Sequence, residues 1–254
     1  MSPKYPDLAG APVFITGGGS GIGAALVEGF LRQGARVAFC DILPSDDFAD
    51  RMGEETGARP LFLKADVTDN TALTGALAAA AEAHGPLKVL VNNAANDQRA
   101  DPDAVDEDFW DWSLSINLKA QFFAAQAAAR QMREAGGGRI VNYASIAHAL
   151  GAPEIAPYTA AKAGVTGMTR SLARAWGRDG IRVNAIAPGL VVTERQKELW
   201  LTEEGIENHI SRQALPLLIE AEHLVGPTLF LASEASAAIA GQVLVVDGGV
   251  VINA

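Results

Sequence analysis

Three side chains between Ile140 and Gly164 could pass a proton among themselves: Ser145, Tyr158 and Lys162. The segment, IVNYASIAHALGAPEIAPYTAAKAG, opens as an apolar run with the character of a buried strand and closes as an Ala-rich run with the character of a helix. Tyr158 and Lys162 are four residues apart, so on a helix they share a face, one turn from each other. A phenol with a reference pKa of about 10 is a poor base at neutral pH. An ammonium one turn away favours the phenolate and lowers that value. The pair therefore reads as a tuned acid/base. The plain alternative is a lysine snorkelling beside a half-buried tyrosine.

The elements upstream supply a nucleotide site. Val13–Thr16 is a short apolar run that stops at the glycines of TGGGSGIGAALVEGF, and from Ile22 the apolar residues Ile22, Leu26, Phe30 and Leu31 fall at helical spacing. Strand, glycines and helix in that order form the context in which a Gly-rich loop holds a phosphate. Glycines let the backbone approach a pyrophosphate, and the helix N-terminus offers free N–H groups. The spacing Thr16-Gly17-x-x-x-Gly21-x-Gly23 departs from the G-x-G-x-x-G register, and a turn without a ligand is the competing reading. The next strand, Arg36–Asp41, ends on an acid where a carboxylate can accept from an adenosine ribose. That acid would repel a 2′-phosphate, and Ile42 and Leu43 offer no cation to welcome one, which favours NAD over NADP. A strand-end Asp capping the following turn remains the alternative.

The alternation continues with strands at Pro60–Leu63, Leu87–Val91, Arg139–Ser145, Ile181–Ala187 and Val243–Val246. Between them lie helices from Asp69 or Thr71 to His84, from about Asp106 to Glu134, over Pro157–Arg178 and over Ala221–Ala232. This order predicts an α/β fold: a single Rossmann-type domain over residues 1–254, its doubly wound parallel sheet of about seven strands covered by helices on both faces. Asn92–Asn93, Ser145, Pro188–Gly189 and the glycine loop all fall at the carboxyl edge of that sheet, where open α/β sheets bind ligands.

Composition removes several other classes. The net charge of −10 argues against a nucleic-acid or anionic-membrane surface. A single Cys40 excludes an internal disulfide and a Cys-based metal site and suits a reducing compartment. The four His residues and the acids show no metal-ligand spacing, so no metal is expected. No signal-peptide core or bilayer-length apolar run is present, and a cytoplasmic location is expected. Ser145 and His148 do not form a hydrolase pair, because Ser145 lies on no G-x-S-x-G elbow. Trp110, Trp112, Phe122 and Phe123 are expected in the core or at a subunit interface.

These motifs, with Asp66, Asn92-Asn93-Ala94, Asn117, Pro188-Gly189 and Thr193, resemble the short-chain dehydrogenase/reductase family over nearly the whole chain. The resemblance implies Tyr158 as general base in oxidation, Lys162 lowering its pKa and holding the nicotinamide ribose, and Ser145 orienting the reacting oxygen. Asn117 would hold a water linking Lys162 to solvent. Cofactor contacts are implied at Gly17, Ser20, Gly21, Ile22, Gly23, Pro188, Gly189, Val191 and Thr193, with Asp66 and Val67 flanking adenine and Asn93 on the adenosine ribose side. Relatives of this family are commonly tetramers, so a homo-oligomer is expected, with the apolar C-terminal tail VVINA at an interface.

Asn92–Arg99, Thr193–Gln196 and Leu199–Gly205 further resemble segments of bacterial aldose 1-dehydrogenases, which oxidise the hemiacetal C1 hydroxyl to a lactone. Asn96, Glu154, Arg195 and Gln196 then become polar candidates for holding a sugar beside Ser145 and Tyr158, each with an ordinary solvated loop position as its alternative. Leu190 to about Leu218 fits no strand or core helix and is expected to be a substrate lid. The competing functions are the same machinery acting on another alcohol, ketone or 3-oxoacyl thioester, and a non-catalytic NAD-binding sensor.

Overall fold

The computed structural model describes residues 3–199 and 201–252. Seven parallel strands form one sheet. They are β1 (Pro12–Thr16), β2 (Arg36–Asp41), β3 (Leu61–Lys64), β4 (Val89–Asn92), β5 (Gly138–Tyr143), β6 (Ile181–Pro188) and β7 (Val243–Val246), in the spatial order β3-β2-β1-β4-β5-β6-β7. The helices are α1 (Gly21–Arg32), α2 (Asp46–Thr56), α3 (Asn70–His84), α4 (Glu107–Leu114), α5 (Ala120–Glu134), α6 (Ala147–Leu150), α7 (Ala156–Trp176), α8 (Glu194–Leu199), α9 (Glu203–Ile210) and α10 (Glu222–Ala232).

Side chains alternate across each strand, so the sheet carries two cores. Val13, Ile15, Val37, Phe39, Val89, Val91 and Val141 face one way and pack with Leu26 and Phe30 of α1 and Leu224 and Leu229 of α10. Phe14, Ala38, Cys40, Leu90, Ile140 and Val183 face the other way and pack with Leu73 and Leu77 of α3 and Ala124 and Ala128 of α5. Each fully buried Phe or Leu contributes roughly 1.5–3 kcal/mol by leaving water. The run of alanines on α5 lets that helix lie close to the strands while adding little side-chain entropy cost.

Local signals fix several boundaries. Asp69 caps α3 by accepting from the Thr71 and Ala72 N–H groups, which decides between the two expected caps. Helix α2 has no counterpart among the expected elements, although Phe48, Ala49 and Met52 are spaced as one buried face. The expected helical region from about Asp106 to Glu134 contains a π turn at Ser115–Lys119, where the Ala120 N–H reaches the Ser115 carbonyl. Such widened turns concentrate at functional sites, and this one carries Asn117. Strand β5 ends at Tyr143, so Ser145 lies just beyond it instead of inside it.

The sheet reverses its order between β1 and β4, and the register sets Thr16 beside both Cys40 and Asn92. The loops after β1, β2, β4, β5 and β6 therefore open on one edge, around a topological switch point. Residues 190–218 are not an irregular loop but contain α8 and α9. The segment is anchored by the Val192 N–H on the Ile219 carbonyl (2.9 Å) and the Leu215 N–H on the Gly248 carbonyl (2.8 Å). None of Trp110, Trp112, Phe122 and Phe123 is buried within the chain, and Trp110 is 42% exposed, so a core position does not hold for it. No helix among the described residues is long and apolar enough to cross a membrane. Trp200, Asn253 and Ala254 of the expected substrate and tail segments lie outside the described residues.

Candidate active site

The glycine loop is built for close backbone approach. Gly17 (φ 65°) and Gly21 (φ 51°) adopt left-handed backbone that disfavours a side chain. A methyl group on Gly23 would overlap the Gly17 carbonyl oxygen, and one on Gly21 would meet Thr193 Cγ2 at 3.3 Å. Asn93 locks the loop from below. Its Nδ2 donates to the Thr16 (3.1 Å) and Gly17 (2.9 Å) carbonyls, and its backbone N–H donates to Thr16 Oγ1 (3.0 Å). Both amide hydrogens are thus committed to shaping the glycine loop.

Asp41 stands beside that loop. Its Oδ2 accepts from the Gly19 N–H (2.9 Å) and its Oδ1 from the Leu43 N–H (3.1 Å), while Ile42 and Leu43 are exposed. The turn-capping alternative for Asp41 is thus realised in this carboxylate. Asp66 Oδ1 accepts from the Thr68 N–H and Oγ1 (2.8 Å each), shaping the turn that presents Val67. Pro188 and Gly189 close β6. Gly189 sits so near Asp247 that a Cβ would come within 2.8 Å of the Asp247 side chain. Val191 is buried in the core, which leaves only its backbone for a ligand. Ser20 starts α1 without a side-chain cap bond, so the first N–H groups of α1 are not satisfied by its hydroxyl. Cradle, free helix N-terminus and strand-end acid fit a dinucleotide.

Around Tyr158 the geometry is tighter. Lys162 is buried, donates to the Tyr143 carbonyl (2.7 Å) and lies 5.5 Å from the centre of the Tyr158 ring. Burial pulls the Lys162 ammonium down to about 7, partly opposed by the negative charge of Asp97. Burial pushes the Tyr158 phenol above its ordinary value, the Asp97 carboxylate pushes in the same direction, and the hydrogen-bonding influence of Ser145 opposes both. The expected depression of the phenol by Lys162 is therefore absent from this state. The amine points at a carbonyl instead of the hydroxyl, and near pH 7 it is itself only partly charged. A lysine tuned to about 7 can gain or lose a proton, which suits a relay better than a permanent cation does.

Asn117 is fully buried in the π turn, and its side chain braces the neighbouring loop. Oδ1 accepts from the Asn96 N–H (3.0 Å), and Nδ2 donates to the Asn96 (2.8 Å) and Ser113 (2.9 Å) carbonyls. Gln121, one turn on, donates to the same Tyr143 carbonyl that anchors Lys162 (3.1 Å). Sequence reasoning missed Gln121, although its four-residue spacing from Asn117 on a helical stretch was the available signal. Ser145 Oγ accepts from the Ala147 N–H (3.1 Å), and His148 Nδ1 meets the Ser145 carbonyl at 2.6 Å, so the imidazole does not serve the hydroxyl.

The four polar candidates for a substrate separate. Gln196 donates to Asp97 Oδ2 (2.8 Å), in the loop after β4. Asn96 spends its Oδ1 on the Gln98 N–H (3.0 Å). Glu154 is exposed on the rim in an ion pair with Arg99 (3.2 Å), and Arg195 is exposed on α8. The structure brings Gln196 to the site and keeps Glu154 and Arg195 at its edge.

Residues 17–251 match the family model described as enoyl-(acyl carrier protein) reductase, and the chain belongs to the short-chain dehydrogenase/reductase family. Dehydrogenases of this family use nicotinamide cofactors. The chain is 52% identical over 251 residues to the protein named "Probable galactose dehydrogenase" of Rhizobium meliloti, covering 98% of each. It is 41% identical over 250 residues to D-xylose 1-dehydrogenase of Caulobacter vibrioides, again covering 98% of each. A crystal structure assigned to the short-chain alcohol dehydrogenases, from Sinorhizobium meliloti 1021, superposes with a TM-score of 0.90. It is 36% identical, with 95% of this chain and 96% of that one covered.

Proposed function

We propose that this chain is an NAD-dependent aldose 1-dehydrogenase that oxidises the C1 hydroxyl of a cyclic sugar to the lactone. The observation that carries the reading is the position of Tyr158, Ser145 and Lys162 on the same sheet edge as a glycine cradle shaped for a dinucleotide. Its full-length similarity to sugar dehydrogenases favours an aldose as the alcohol. A bound nicotinamide would supply the hydride acceptor and, in its oxidised form, a positive charge that favours the Tyr158 phenolate.

The chain's own residues do the rest. Tyr158, as the phenolate, takes the hydroxyl proton, and Ser145 holds the reacting oxygen in line with it. Lys162, poised at about 7, passes the proton onward on the side of the loop braced by Asn117. Gly17, Gly21 and Gly23 admit the pyrophosphate, and Asp41 holds the ribose hydroxyls. Asp41→Ala is expected to narrow the preference for NAD over NADP, measured as the ratio of kcat/KM values, by about 10- to 100-fold. An unchanged ratio removes Asp41 from that role. Residues 190–218 cover the sugar, so NAD with a sugar substrate should slow proteolysis within them. Equal cleavage rates with and without both ligands contradict a cover. The direct test is NADH formation across aldoses, polyols and simple secondary alcohols. Turnover of polyols with silence for every aldose overturns the aldose reading.

A further inference from the structure

Asp97 lies in the loop after β4, and that loop is immobilised from three sides. Asn117 brackets the Asn96 backbone from the π turn. The Ala100 N–H reaches the Glu154 carbonyl (2.8 Å), and Arg99 pairs with the Glu154 carboxylate, tying the loop to the approach to α7. From the covering segment, Gln196 of α8 donates to Asp97 Oδ2 (2.8 Å). Asp97 is half-buried, and its charge acts on both Tyr158 and Lys162.

A carboxylate in this position has a cost for the chemistry, since it disfavours the phenolate. Joining α8 to the loop does not require it, because a neutral amide oxygen accepts from Gln196 equally well. What the carboxylate adds is accepting capacity. Among the described residues its Oδ1 receives no hydrogen bond, although a carboxylate can take about four. A strong acceptor held rigidly between the loop that Asn117 braces and helix α8 matches a substrate that presents a second hydroxyl beside the reacting one.

We propose that Asp97 is a specificity-determining residue whose Oδ1 accepts a hydrogen bond from the hydroxyl adjacent to the one oxidised, with Gln196 holding the carboxylate in place when α8 is seated. The inference rests on the dehydrogenase reading above and extends it to the substrate's second hydroxyl. Asp97 then selects polyhydroxylated alcohols over simple ones. It also couples the seating of α8 to substrate recognition, because Gln196 and the substrate share one carboxylate.

The test compares kcat/KM of the parent enzyme and of Asp97→Asn on an aldose and on its 2-deoxy counterpart. The variant keeps the shape and the bond to Gln196. Removing the charge changes the acid/base pair for both sugars alike, so the ratio between sugars isolates the contact. The parent should prefer the hydroxylated sugar by about 10- to 100-fold, as expected for a hydrogen bond to a charged group. Asp97→Asn should bring that ratio to within about threefold, with the change carried mainly by KM. Gln196→Ala should narrow the ratio part of the way, and the double variant should go no further than Asp97→Asn alone. An equal loss on both sugars, or a parent that does not distinguish them, overturns the proposal.

If the parent oxidises a polyol and no aldose, the same comparison is made on that polyol and its deoxy analogue. A collapsed ratio there sustains Asp97 while the aldose reading falls. A parent active only on alcohols with a single hydroxyl overturns both.

Discussion

Tyr158→Phe is expected to lower kcat by about 10²- to 10⁴-fold, the usual span for removing a general acid/base, while NAD affinity changes by less than about threefold. The ring is held by the packing of α7 and by Lys162 lying 5.5 Å from its centre, and neither contact uses the hydroxyl. The hydroxyl itself is influenced by Ser145 and by the charge of Asp97. Separate measurement of kcat and of the NAD dissociation constant therefore distinguishes a proton carrier from a structural tyrosine. A variant that keeps more than about a tenth of parental kcat removes Tyr158 from the chemistry.

Lys162→Met is expected to abolish turnover and, at neutral pH, to make the protein more stable. The sign follows from linkage. In the unfolded chain this lysine holds its proton up to about 10.5, whereas burial lowers the folded value to about 7. Between those two values the unfolded state binds a proton that the folded state lacks, so stability rises with pH across the window. Below about 7 the full cost of a buried ammonium is present; above about 10.5 it is gone. Methionine fills similar volume without that cost, and the Tyr143 carbonyl keeps its bond from Gln121.

The variant should thus exceed the parent by on the order of a few kcal/mol at pH 6–7, the gap closing towards pH 10. Cys40, raised to about 12 by burial, weakens both proteins alike above pH 9 and cancels in the comparison. Urea melts of both proteins at pH 6.5, 8 and 9.5 check this. A gap independent of pH, or a destabilised variant at every pH, contradicts a buried lysine held near neutrality.

Much of the fold was legible because its signals are local. Seven apolar runs, glycines after the first, and residues with chemistry placed where strands end are enough to set a doubly wound sheet and the edge at which those residues gather. Asp69 announced its helix, and the four-residue spacing of Tyr158 and Lys162 put them on one face. What escaped was set by three-dimensional context. Helix α2 is short and mostly polar, so its single buried stripe was easy to pass over. The π turn at Asn117 leaves no mark in composition, because it is a change in hydrogen-bond register. The direction in which Tyr158 titrates depends on burial outweighing a charge, and spacing carries no information about burial. Asp97 and Gln196 lie 99 positions apart, and only folding shows that they share a hydrogen bond.

The most direct measurement uses an aldose carrying deuterium at C1 with the native enzyme and NAD. Transfer of the label to the reduced cofactor, together with release of the lactone, is the result expected from C1 oxidation by the Tyr158 site. Reduced cofactor without deuterium would show that the hydride leaves another carbon, and would contradict oxidation at the hemiacetal.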